Sequence, residues 1–244
     1  MKNNKLLIGR LNTFLSQTFH RDAVTFPYVI TIFVALIVAV FGIHLFVDLT
    51  TNLESAALAN YDQQITEYVI SYRSPSLTKY FVFITHVGDV FGYFFVLIVL
   101  AVMSAIHFKS WKNMLQIIIV LVFSALSNMA LKSFINRARP STDHMVLVET
   151  LSFPSGHAMS AMAFYGFLIY LFCQFKINRL LKIAGILIAL LLILSIGLSR
   201  IYLGVHFPSD IAGGFIAGFV CVVFCVLIFS FIDVFKSDVK TPDL

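Results

Sequence analysis

The chain has 244 residues; 59% are hydrophobic, only 12% are Asp, Glu, Lys or Arg, and the formal net charge is +5. A soluble domain carries roughly 25% charged residues, so a soluble globule could not cover its surface with so few, and the same hydrophobicity excludes disorder. Three cysteines, Cys173, Cys221 and Cys225, all within or beside apolar runs, exclude a disulfide-stapled secreted domain and leave a polytopic membrane protein.

Residues 1–26 are polar and basic, lack the compact layout of a cleaved signal peptide, and read as a retained cytoplasmic leader. Six apolar segments follow, at about residues 27–47, 89–107, 114–134, 156–175, 183–198 and 209–232. Each approaches the about 20 residues of a spanning helix, although the fifth is short. Apolar residues surround each segment instead of forming one stripe, as contact with lipid and a helical bundle requires. Between the first two segments, residues 48–79 mix Asn52, Glu54, Asp62, Gln63, Gln64 and Glu67 with Leu53, Ala56, Leu58, Ile65, Val69 and Ile70. That pattern predicts one or two amphipathic helices at the membrane surface, ended near Pro75. The expected fold is all-α: a polytopic bundle of six transmembrane helices with an amphipathic surface segment after the first. The membrane domain covers residues 27–233 and a cytoplasmic tail covers 234–244.

The basic residues lie scattered between apolar runs, so they report orientation and no nucleic-acid partner is expected. The N-terminus, the 107–113 and 174–182 loops and the C-terminus hold eleven of the 17 Lys and Arg residues; the opposite side holds Arg73, Lys79, Lys132, Arg137, Arg139 and Arg200. Positive charge collects in the cytoplasm, which places both termini there.

Three polar clusters interrupt the apolar pattern, all on the outer side of this topology, and charge at membrane depth marks a candidate site. The first runs from Lys132 to Arg139-Pro140 and closes the third span. Lys132 and Arg139 are about two turns apart and share a face if the helix continues that far. The alternative is an ordinary snorkelling basic end. The second is Pro154-Ser155-Gly156-His157, a turn feeding a helix N-terminus. Free N–H groups there favour an anion, glycine allows close approach, Ser155 adds a hydroxyl, and His157 can carry a proton. The alternative is a plain serine cap. The third runs from Ser199-Arg200 to His206 and Asp210. With a sixth helix starting near Pro208, Asp210 sits in the first turn within reach of His206, where a carboxylate fixes the imidazole tautomer and exposes the other nitrogen. Together these residues form a pocket for a phosphoryl group.

Lys-x6-Arg-Pro, Pro-Ser-Gly-His and Ser-Arg-x5-His-x3-Asp, in that order over residues 132–140, 154–157 and 199–210, resemble the tripartite signature of the type-2 phosphatidic acid phosphatase superfamily. Within that superfamily the chain resembles the bacterial membrane lipid phosphatases, which include phosphatidylglycerophosphate and undecaprenyl-diphosphate phosphatases. The resemblance implies that His206 attacks phosphorus, Asp210 holds His206, and His157 protonates the leaving oxygen. It further implies that Lys132, Arg139, Arg200, Ser155 and the Gly156 amide bind the phosphoryl oxygens. Fixed cations can compensate the phosphoryl charge without metal. The sequence shows no zinc-like Cys/His spacing and no Asp-rich triad, so neither metal nor cofactor is expected.

The expected partner is a lipid phosphate entering from the bilayer. Outward orientation ranks undecaprenyl diphosphate first, with phosphatidylglycerophosphate or phosphatidate as alternatives. The rival of another class is a non-enzymatic lipid-phosphate carrier or scramblase, which needs the cations but no His–Asp pair. His86 and Asp89 are expected to form a polar turn at the start of the second span, and Asp143, His144 and Glu149 to be solvated.

Overall fold

The computed structural model describes residues 26–103, 111–141, 144–146 and 151–238. The leader, the end of the tail, and Asp143 and Glu149 lie outside the described residues. Eight α-helices occur among those described, and no strand: α1 (Phe26–Thr51), α2 (Ala56–Ser71), α3 (Pro75–Val87), α4 (Val90–Met103), α5 (Trp111–Ile135), α6 (Gly156–Gln174), α7 (Arg179–Tyr202) and α8 (Pro208–Asp238). The fifth apolar segment, short in the sequence, extends at both ends to form α7.

Among the described residues, five helices are long and apolar enough to cross a membrane: α1, α5, α6, α7 and α8. A sixth span requires α3 and α4 together, bent by 63° at the break between them. The amphipathic segment does end near Pro75, with α2 closing at Ser71, but the second span, expected to start near residue 89, does not begin there. Pro75 occupies the first turn of α3 behind the N-cap Ser74, a position where proline's missing N–H costs nothing. The surface segment is therefore α2, and α3 belongs to a bent span. At the bend, a Cβ on Gly92 would lie 2.5 Å or less from the carbonyl oxygens of His86 and Val87. Only glycine lets the first turn of α4 fold so closely over the end of α3. His86 is exposed and Asp89 half-buried at this break, and Asp89 caps α4 by accepting from the Val90 N–H at 2.8 Å.

The described residues divide into two compact units. The smaller comprises residues 26–41 of α1 and 223–238 of α8. Its Phe33, Ile37, Val40 and Phe41 are exposed, as expected of side chains whose solvent is lipid. The larger, Gly42–Val222, holds the three signature blocks. Its centre is α6, where Ala158, Met159, Ala161, Ala163, Phe164 and Phe167 are fully buried. The small residues of α8 permit close contact with α6 and the turn before it: a Cβ on Gly218 would lie 2.5 Å from the Met159 carbonyl oxygen, and one on Gly214 2.8 Å from that of Ser155. Backbone contact of this kind is how helices associate where lipid removes the hydrophobic driving force.

On α2, Tyr61, Ile65 and Tyr68 are exposed, as is Tyr72 just past its end, whereas Asp62 and Thr66 are buried. The Tyr72 hydroxyl, beside that of Tyr68 at 3.1 Å, is raised above its ordinary pKa chiefly by that hydrogen bond. The Cys221 and Cys225 thiols are free and buried, and Cys173 is free and exposed.

Candidate active site

Helix α5 ends at Ile135, and Asn136 turns the chain with φ 50°, a left-handed conformation that asparagine tolerates better than most residues. The helix does not continue to Arg139, so the expected shared helical face does not exist. A loop carbonyl gathers the two cations instead. Leu151 O accepts from Lys132 Nζ at 2.7 Å and from an Arg139 guanidinium nitrogen at 3.4 Å.

The second block forms a turn with a cis Phe153–Pro154 bond, tied to α5 by Asn128 Nδ2, which donates to Pro154 O at 3.1 Å. Ser155 is the N-cap of α6 and its Oγ accepts from the Ala158 N–H, which leaves its hydroxyl hydrogen available to another acceptor. The Ser155 N–H donates to the Asp210 carbonyl at 3.0 Å, so the second and third blocks share a hydrogen bond. Gly156 opens α6 with its Cα against Asn128 Oδ1, 3.1 Å from where a Cβ would stand. His157 follows, close enough to Arg200, His206, Lys132 and Arg139 for each to act on its charge.

In the third block Arg200 is buried in the last turn of α7. It donates to Thr85 Oγ1 of α3 at 2.6 Å, and its Nε–H, also buried, has no hydrogen-bond partner among the described residues. The Arg200 carbonyl receives the N–H groups of Val205 and His206, at 3.1 and 3.3 Å, through a turn in which Gly204 has φ 77°. That turn delivers His206, 2% exposed, against Asp210 in the first turn of α8.

Around His206 the network fixes the tautomer. Nδ1 lies 3.3 Å from Asp210 Oδ2, and Nε2 lies 3.2 Å from a guanidinium nitrogen of Arg139. A carboxylate accepts only and a guanidinium donates only, so Nδ1 carries the hydrogen and Nε2 the lone pair. Burial, aided by Arg139 and Arg200 and opposed by Asp210, holds the imidazole down to about 4, so the ring is neutral at neutral pH. Burial likewise holds the Arg139 guanidinium below its ordinary value, with Asp210 pulling the other way. Arg139 also donates to Val205 O at 2.7 Å, which keeps it beside the imidazole.

All eight residues marked by the sequence thus lie in one region of the larger unit. Direct hydrogen bonds join His206 to Asp210 and Arg139, whereas His157, Lys132 and Arg200 are related to them electrostatically. His144 is exposed, near Pro140 O at 2.9 Å, as expected of a solvated residue.

Five further residues support the site. Ser152 is fully buried and its hydroxyl donates to Asp210 Oδ2. Arg137 bonds Asp210 Oδ1 at 2.7 Å and Asp62 Oδ2 at 2.9 Å. Thr85 and Asn128 hold Arg200 and the Pro-Ser-Gly turn. Arg137, two residues before Arg139, carried a signal in its proximity to the first block. Asp62 carried none, because an acid on an amphipathic helix reads as solvated. Among the described residues, no group of three or more His, Cys, Asp or Glu side chains is gathered closely enough to hold a metal ion.

Residues 113–232 match the PAP2 superfamily. Over 199 residues the chain is 29% identical to phosphatidylglycerophosphatase B of Bacillus subtilis, covering 80% of this chain and 93% of that protein. Its fold is similar to the crystal structure of a transmembrane PAP2-type phosphatidylglycerolphosphate phosphatase from Bacillus subtilis, with TM-score 0.73, 28% identity and coverage of 80% and 96% of the two chains. LpxE of Aquifex aeolicus shares the fold, with TM-score 0.54 and 24% identity over 67% of this chain and 93% of that one.

Proposed function

The chain belongs to the PAP2 superfamily and is a multi-pass membrane lipid phosphatase, and from that premise we propose that it hydrolyses a lipid phosphate through a phosphohistidine at His206. The observation that carries this reading is the neutral imidazole held by Asp210 with its Nε2 lone pair turned toward the Arg139 guanidinium. A phosphoryl group bound by that cation presents its phosphorus to the nucleophile.

In the first step His206 Nε2 forms a bond to phosphorus and the bond from phosphorus to the leaving oxygen breaks. His157 gives that oxygen its proton. Asp210 stabilises the charge that develops on the ring. In the second step His157 takes a proton from water, the water oxygen attacks phosphorus, and the P–N bond breaks to release inorganic phosphate. One water is consumed and both histidines are restored. Lys132, Arg139 and Arg200, with the Ser155 hydroxyl and the Gly156 amide, face the equatorial oxygens, where charge compensation contributes most. The buried Arg200 Nε–H gains the acceptor that a buried donor needs.

The substrate proposed first is phosphatidylglycerophosphate, since the Bacillus subtilis relatives carry that activity in their names. This reverses the order suggested by orientation. Undecaprenyl diphosphate is the second reading, supported by the asymmetry of basic residues, which favours cytoplasmic termini and a site at the outer face. In either case the head group reaches the pocket while the tail stays in lipid. A non-enzymatic carrier would need the cations alone and gives no account of the His–Asp pair.

The two lipids are to be compared by kcat/KM on the purified protein, in EDTA. Phosphate release is expected from both, higher from phosphatidylglycerophosphate, blocked by vanadate and absent in His206→Ala. A folded His206→Ala protein with full activity refutes the mechanism, and a higher kcat/KM for undecaprenyl diphosphate restores the first ranking.

A further inference from the structure

The Asp210 carboxylate is fully buried and surrounded by donors. Its Oδ2 accepts from the Ser152 hydroxyl, from the Phe207 N–H at 2.8 Å and from His206 Nδ1. Its Oδ1 accepts from Arg137, whose guanidinium lies 4.4 Å from the centroid of the Phe207 ring. A full positive charge at 2.7 Å would draw electron density from Asp210 and weaken its hold on the imidazole. Arg137, however, is shared. Its other terminal nitrogen lies 2.9 Å from Asp62 Oδ2, and Asp62 is 2% exposed. Asp62 is fixed in turn by the first turn of α8: the Ser209 N–H donates to Oδ1 at 2.8 Å and the Ser209 hydroxyl to Oδ2 at 2.5 Å.

We propose that Asp62 and Arg137 form a positioning clamp, in which Asp62, reaching from α2, divides the charge of Arg137 and so keeps Asp210 an effective partner for the His206 nucleophile. This inference rests on the phosphohistidine reading. Burying an arginine between two carboxylates is costly unless every group is paired, and here both carboxylates and both terminal nitrogens are. The planar guanidinium reaches the two carboxylates from two separate nitrogens, a span that the single nitrogen of a lysine does not reproduce. The clamp also joins the surface helix α2 to the reacting residues, through the contact chain Asp62–Arg137–Asp210–His206 and through Ser209, which bonds both Asp62 and Arg137. The clamp's hydrogen bonds run to Asp210 and to Ser209 beside it, behind the nucleophile, so its effect is expected on the chemical step.

The test is a double-mutant cycle on the full-length protein in detergent, with dioctanoyl phosphatidate radiolabelled at phosphorus and acid-stable quenching excluded in favour of alkaline quenching, which preserves phosphohistidine. Single-turnover phosphorylation is read together with steady-state KM. Asp62→Asn keeps the shape and should slow phosphohistidine formation by about tenfold or more while KM changes less than about threefold. In an Arg137→Gln background, adding Asp62→Asn should change the rate less than about twofold, because Asp62 acts through Arg137. A wild-type rate in Asp62→Asn, or losses that multiply independently, overturns the clamp. Should Asp62→Asn fail to fold, Arg137→Lys carries the test: it keeps the charge but not the two-nitrogen span, so slow phosphorylation at unchanged KM is expected and a wild-type rate overturns the proposal. Wild-type protein that turns over substrate without forming any phosphohistidine refutes the underlying mechanism itself, and the clamp with it.

Discussion

Titration of His206 tests the electrostatics of the site directly. An unperturbed histidine has a pKa of about 6.5, whereas burial of this one, reinforced by Arg139 and Arg200 against the pull of Asp210, holds it down to about 4. At pH 5 the ring is then about 90% neutral, where an ordinary histidine would be about 3% neutral. The measurement is an NMR titration of protein labelled at histidine Cε1, with the His206 resonance assigned from its loss in His206→Gln. A midpoint near 4 is expected. Asp210→Asn should move it lower still, because the carboxylate that favours the charged ring is gone. Stability follows with a definite sign. Between pH 6.5 and 4 the unfolded chain binds this proton and the folded chain does not, so stability falls as pH drops through that window, by about 3 kcal/mol in all for this group. A midpoint at 6 or above, or a rise in Asp210→Asn, refutes both the assigned burial and the neutral-nucleophile argument.

Two other substitutions probe the elements that carry the site. Thr85→Val removes the acceptor that orients Arg200 at 2.6 Å while keeping side-chain volume; hydrogen bonds to charged groups are worth about 1.5–3 kcal/mol, so KM should rise by about tenfold, and an unchanged KM would separate Thr85 from phosphate binding. Gly218→Ala sets a Cβ 2.5 Å from the Met159 carbonyl oxygen and should cost about 1–3 kcal/mol in detergent unfolding by forcing the helices apart. Gly166→Ala meets nothing closer than 3.6 Å and serves as the control expected to stay near wild type.

The parts of this protein that were legible in the sequence are those whose chemistry restricts residue type. An imidazole with a carboxylate four residues on, cations at membrane depth and a Pro-Ser-Gly turn before a helix leave few alternatives, and the structure brings His206, Asp210, Arg139 and Ser155 together through shared hydrogen bonds. Five spans were legible because length and hydropathy alone define them; the bent sixth was not. What escaped depends on packing between distant segments. Pro75 reads equally as a terminator and as a first-turn residue, and what decides is the apolar character of residues 75–87 together with the backbone approach at Gly92, which is visible only in three dimensions. Arg139 was expected on a continued helix, yet Asn136 ends it and Leu151 O brings Lys132 and Arg139 together instead.

Asp62 shows why the boundary falls there. Gln63, Gln64 and Glu67 on the same helix are exposed, and composition gives no reason to separate Asp62 from them. Its burial comes from a guanidinium 75 residues away in the chain and a serine 147 residues away. A group that touches substrate must match a small, invariant phosphoryl unit, so its identity and spacing are constrained locally. A group that supports the nucleophile from behind needs only to complete a charge balance, and any helix passing at the right distance can supply it. The chemistry of the reacting residues can therefore be read from a motif, whereas the residues that tune them follow from the fold.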